Sequence, residues 1–90
     1  MQHPGWYLIA YDVRDDHRLQ QIHRALRRAA MPIQRSVFVT RATVAEVTQL
    51  LDDLMPLLAP HEDALCAWPV DEPTRWWTSG IPLLGSVFTG

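Results

Sequence analysis

The feature that most constrains this chain is a short, unbroken apolar run, Trp6 to Tyr11 (WYLIAY), bounded by Gly5 before it and by Asp12 and further charge after it. A run this short, rich in aromatic and branched side chains, reads as a central strand covered on both faces. Both coverings have to come from a small chain. Ninety residues with 48% hydrophobic content suffice for one domain with one small core and leave much surface exposed, so oligomerisation would help.

The segments after this strand supply the covering. Asp15 or Asp16 can cap a helix whose apolar positions Leu19, Ile22, Leu26 and Ala29 or Ala30 recur at helical spacing. Gln21, Arg24 and Arg28 then fall on its solvated face, and Pro32 is expected to stop it. Ile33 to Thr40 (IQRSVFVT) alternates with strand periodicity and reads as one strand. Thr43 followed by Glu46 is a capping-box signature, and Val47, Leu50, Leu51, Leu54, Leu57 and Leu58 carry an apolar stripe behind it. Pro56 should tighten the last turn, and Pro60 lies beyond it. Ala64 to Val70 (ALCAWPV) reads as a further strand, with Pro69 placing its end at an edge or exit. Strands and helices in this order predict an α+β sandwich, most simply a ferredoxin-like split βαβ plait over residues 1–70. Residues 71–90 form a turn-rich linker with Trp76 and Trp77, followed by a second apolar run, IPLLGSVF.

The net charge of -2 argues against a uniformly basic, nucleic-acid-coating surface, but it hides an asymmetry. All eight basic residues are arginine. Seven of them stand against three acids between residues 12 and 41, for a net +4, whereas Arg75 stands against seven acids in residues 42–90, for a net -6. The guanidinium fork pairs bidentately with phosphate oxygens, so this concentration leans towards phosphate contact, although a high-GC genome also substitutes Arg for Lys. The single Cys66 excludes an intrachain disulfide or Cys-based zinc site and fits a reducing, cytoplasmic setting. No apolar run approaches the ~20 residues of a membrane span. His3, His17, His23 and His61 show no ligand spacing, so no metal role is expected of them.

In order and spacing, the segments YLIAYDVRDDHR, QRSVFV, TVAEVTQLLDDL and LCAWPV resemble the CRISPR-associated Cas-two family over roughly residues 6–70. The chain departs from the family at Val39, where many members carry Glu, and in its Trp76-Trp77 tail. The resemblance implies a ferredoxin-like βαββαβ plait in which the segment around Gln34 to Ser36 divides into two short bent strands. It also implies a two-fold homodimer, with the C-terminal strand crossing to the partner subunit. The bland alternative is that this strand closes its own sheet or belongs to a poorly ordered tail.

The resemblance further implies that Asp12, at the carboxyl end of the first strand, is the catalytic and metal-binding carboxylate. With its symmetry mate it would hold one Mg²⁺ or Mn²⁺; from the residues alone, Asp12 could equally begin a turn or cap the helix. Tyr11, Ser36 and Phe38 would support the site, Phe38 being equally suited to a dimer core. Arg14, Arg18, Arg24, Arg27, Arg28 and Arg35 are the candidate nucleic-acid ligands, Arg18 alternatively forming a surface ion pair with Asp15 or Asp16. The implied function is spacer acquisition: a dimeric scaffold that binds duplex DNA beside the CRISPR integrase and can carry metal-dependent endonuclease activity on RNA or double-stranded DNA. A toxin-like ribonuclease or a ferredoxin-like binding module outside CRISPR is the alternative.

Overall fold

In the computed structural model, residues 3–73 are described. Their order is β1 (Gly5–Asp12), α1 (Asp16–Arg27), β2 (Met31–Gln34), β3 (Val37–Ala42), α2 (Val44–Leu54), a 3-10 turn (Met55–Leu57) and β4 (Ala64–Val70). The strands form one antiparallel sheet in the order β2-β3-β1-β4, the arrangement of the expected plait. β1 lies centrally, with Ile9 opposite Phe38 of β3 and Ala10 opposite Cys66 of β4.

Successive strand residues face opposite sides, so Tyr7, Ile9 and Tyr11 share one face and Leu8, Ala10 and Asp12 the other. The helices cover the first face. Ile9, Tyr11, Val13, Ile22, Leu26, Phe38 and Leu54 are buried together, with Leu19, Leu50, Leu57 and Leu65 packed around them. Each fully buried large apolar side chain contributes about 2 kcal/mol relative to exposure. On the second face Leu8, Val37 and Val39 are buried as well, as the unbroken apolar run requires.

Both helices start where local chemistry directs. Asp15 caps α1, its Oδ2 accepting the Arg18 backbone N–H at 3.0 Å, and Asp16 in the first turn with Arg24 and Arg27 in the last complements the helix dipole. Thr43 and Glu46 form the reciprocal capping box of α2, at 3.1 and 2.9 Å. Pro56 sits in the 3-10 turn that tightens the end of α2.

Three expectations need correction. The stretch Ile33 to Thr40 is not one strand, because Arg35 and Ser36 form the tight turn of a β2–β3 hairpin. That turn is pinned from β1: the Tyr11 N–H donates to the Ser36 carbonyl at 3.2 Å. Pro32 does not stop α1 either. The helix ends at Arg27, where the Arg28 N–H folds back onto Ala25 and Leu26, and Pro32 lies in edge strand β2, which tolerates a missing donor. Finally, Phe38 belongs to the monomer core, at 0% exposure, instead of a dimer core, and Ser36 lies in the β2–β3 turn. The C-terminal strand expected from IPLLGSVF, and with it most of the 71–90 segment, lies outside the described residues.

Candidate nucleic-acid-processing site

β1 ends at Asp12, paired in register with Ala64 of β4 and exposed. Because β1 is held by strands on both sides, this carboxylate sits at a rigid tip rather than on a loose loop. It does not cap α1, a role taken by Asp15. Among the described residues it makes no hydrogen bond or ion pair, so its oxygens are open to an external ligand. Also among the described residues, no three His, Cys, Asp or Glu side chains converge as metal ligands. A hard divalent cation wants several oxygens and keeps waters while accepting one or two carboxylates. Asp12 alone therefore offers such a cation too few oxygens, and a second carboxylate brought opposite it would give a donor set whose chemistry fits Mg²⁺ or Mn²⁺.

Beside Asp12 lies an ion-pair knot that the sequence did not announce. Asp63, in the loop before β4, accepts the Arg14 backbone N–H at 3.0 Å, the Ala59 N–H at 2.9 Å, Arg18 Nε at 2.8 Å and the Arg18 terminal nitrogen at 3.3 Å. Its side chain is covered by these neighbours, although the loop itself is at the surface. The Arg18 hydrogen bonds, followed by the Ala59 N–H, hold the carboxyl well below the usual carboxylate range, and Asp63 in turn raises the guanidinium. Glu62 approaches Arg18 more loosely, at 3.8 Å. The ion-pair partner of Arg18 is therefore Asp63 rather than Asp15 or Asp16, and its charge is largely answered within the protein.

The remaining basic candidates are placed differently. Arg14, Arg24, Arg27, Arg28 and Arg35 are all exposed. Arg24, Arg27 and Arg28 belong to the last turns of α1 and its cap, and Arg35 to the β2–β3 turn.

Tyr11 faces the helices, opposite to Asp12. Its ring stacks on Phe38 at a centroid distance of 6.2 Å, and its hydroxyl lies 3.0 Å from both the Arg35 carbonyl and His23 Nδ1. Burial raises the phenol above its ordinary value. A carbonyl can only accept, so the single phenolic proton goes to Arg35, and His23 Nδ1–H is the donor to Tyr11. Tyr11→Phe should then lower stability by about 2 kcal/mol in urea denaturation, by leaving a carbonyl and an imidazole N–H without their partner. A change of a few tenths would show that water replaces the hydroxyl at no loss.

A four-stranded antiparallel plait with two helices on one face and an exposed carboxylate at the tip of its central strand defines a small α+β protein of ferredoxin-like class. Residues 5–76 match the family CRISPR associated protein Cas2, and the chain belongs to that family. It is similar to CRISPR-associated endoribonuclease Cas2 1 of Nitrosomonas europaea, 31% identical over 64 residues that cover 71% of this chain and 61% of that protein. The chain thus spans less than two thirds of that relative. CRISPR-associated endoribonuclease Cas2 1 of Thermodesulfovibrio yellowstonii is 31% identical over 75 residues, 83% of this chain and 82% of the relative. Among solved structures, a hypothetical protein from Thermus thermophilus superposes with a TM-score of 0.73 at 28% identity, covering 78% of this chain and 85% of its own. Cas2 of Streptococcus pyogenes shares the fold, with a TM-score of 0.68 at 20% identity over 82% and 93% of the two chains. Among the described residues, no helix is long and apolar enough to cross a membrane.

Proposed function

We propose that this chain serves CRISPR spacer acquisition as a homodimer that braces duplex DNA beside the integrase, and that its paired Asp12 carboxylates support metal-dependent phosphodiester cleavage. The observation that carries the reading is Asp12 itself: an exposed carboxylate with no partner among the described residues, at the end of a rigid central strand, in a family whose relatives are named endoribonucleases. The family match outweighs a toxin-like ribonuclease or a binding module outside CRISPR.

Two Asp12 side chains related by a dyad supply the oxygen donors that one chain lacks, and without a cation they would repel each other. The two Asp12 carboxylates would hold a Mg²⁺ or Mn²⁺ between them, and such an ion would supply polarisation of a scissile phosphate and a lowered pKa for a bound water. The exposed arginines of α1 and its flanks then meet the backbone of the nucleic acid. They present no element suited to reading base edges, so binding is expected to be largely independent of sequence.

The bracing role is tested by titrating salt against duplex binding in the assembly with the integrase. Arg27→Gln combined with Arg28→Gln should lower the slope of log affinity against log salt by up to about 2. Arg18→Gln should change that slope by well under about 1, since Asp63 already neutralises its guanidinium. An unchanged slope for the double variant would remove the α1 arginines from the DNA contact.

A further inference from the structure

On the helix-covered side of β1, away from Asp12, Tyr11, Leu19, Gln20, His23, Arg24 and Arg35 line a pocket of about 390 Å³. Three properties of its lining matter together. Among the described residues no carboxylate lines it and none pairs with the two guanidiniums that Arg24 from α1 and Arg35 from the β2–β3 turn bring. Its surface is otherwise mainly apolar, with the Tyr11 and His23 rings beside Leu19. Its volume falls in the range of small-molecule sites and exceeds what a bare inorganic anion would fill.

The hydrogen bonds behind the pocket also fix its chemistry. Because Tyr11 donates to the Arg35 carbonyl, His23 Nδ1 carries the hydrogen that reaches Tyr11, and in the neutral ring Nε2 is left as an acceptor without a partner among the described residues. The same Tyr11 hydroxyl anchors the backbone of Arg35, so the turn carrying one cation is held against the helix carrying the other.

We infer that this pocket binds a nucleoside 5′-monophosphate unit, with Arg24 and Arg35 taking the phosphate, Leu19 and His23 packing on the base above the buried Tyr11, and His23 Nε2 accepting a hydrogen from base or ribose. Paired guanidiniums suit a phosphate, and an imidazole face with an apolar side chain beside a cationic rim suits an unstacked base. A duplex does not satisfy this combination, because its bases stay stacked. The unit is therefore either a free mononucleotide or the 5′-phosphorylated end of a single strand. The site lies on the opposite face of β1 from Asp12 and needs no metal, so it stands or falls independently of the cleavage reading.

The test is equilibrium binding to the full chain in EDTA, followed by backbone amide shifts of ¹⁵N-labelled protein. AMP should saturate with a Kd of about 1 mM or tighter, shifting the amides of Leu19, His23 and Arg35. Adenosine and inorganic phosphate should each bind at least about tenfold more weakly than AMP, and Arg24→Gln with Arg35→Gln should weaken AMP by a similar factor. Both substitutions are at exposed positions, and an unchanged spectrum elsewhere checks that the variant is folded. A 5′-phosphorylated single-stranded tetranucleotide that shifts the same amides at lower concentration than AMP identifies the strand end as the ligand, and the reverse order identifies the free nucleotide. Absence of saturation by AMP and by the tetranucleotide alike overturns the inference. So does equal affinity for AMP and phosphate, equal affinity for AMP and adenosine, or unaltered AMP affinity in the double variant.

Discussion

Asp12→Ala should reduce divalent-metal-dependent cleavage of RNA or duplex DNA by at least about a hundredfold, a loss at least as large as that for removing a group behind a metal ligand. The fold should survive, because the side chain is exposed and makes no hydrogen bond or ion pair among the described residues, and such surface changes stay within about 0.5 kcal/mol. If the cation needs one carboxylate from each protomer, activity in re-equilibrated mixtures of wild type and variant should follow the square of the wild-type fraction. A linear dependence would mean that each protomer works alone. Specific activity should also fall as the dimer is diluted apart, and EDTA should stop cleavage in the wild type. Cleavage by Asp12→Ala at the wild-type rate would move the chemistry to another residue.

Much of what positions Asp12 was legible because it is local. The run WYLIAY marks a doubly covered strand, and Leu8 and Ile9, adjacent and both buried, answer it directly. The Thr43–Glu46 box and the leucine stripe behind it needed no tertiary information to mark α2. The β2–β3 hairpin was harder: Ile33 to Thr40 keeps strand alternation through a turn at Arg35 and Ser36 that contains neither Gly nor Asn, the usual turn markers. Only the family resemblance implied the break. The end of α1 was misplaced for a related reason, since Pro32 is the conspicuous breaker but the helix closes earlier through backbone bonds at Arg28.

The side-chain partnerships were not legible at all. Tyr11 meets His23 across 12 positions, and Arg18 meets Asp63 across 45. Both pairs depend on how the plait closes. From the sequence, Arg18 had two nearer acids, Asp15 and Asp16. Asp15 is occupied in capping the helix, and that leaves the guanidinium to reach the loop before β4. The consequence for function is that one of the most strand-proximal arginines braces the β1–α1 corner next to Asp12. Under the proposed function, phosphate contact would then fall to its exposed neighbours.

That bracing should be measurable through Asp63. Four N–H groups from Arg14, Arg18 and Ala59 converge on its two oxygens. Asp63→Asn replaces one acceptor oxygen with a donor, turns it against donors, and leaves the Arg18 guanidinium without its counter-charge. The melting temperature at neutral pH should fall by roughly 10 °C for a domain of this size. The pH dependence carries a defined sign. Since the folded-state pKa of Asp63 is depressed below its ordinary 3.8, its contribution is complete above that value and is lost as pH falls through the folded-state value. The wild type should therefore lose stability progressively below about pH 4, while the variant, having no carboxyl to protonate there, follows a flatter curve. Thermal melts of both proteins from neutral pH to about pH 2 should show the gap between them narrowing. Parallel curves with a constant gap would show that Asp63 acts through hydrogen bonds alone, and no gap at all would mean that the β1–α1 corner holds Arg14 and Arg18 without it.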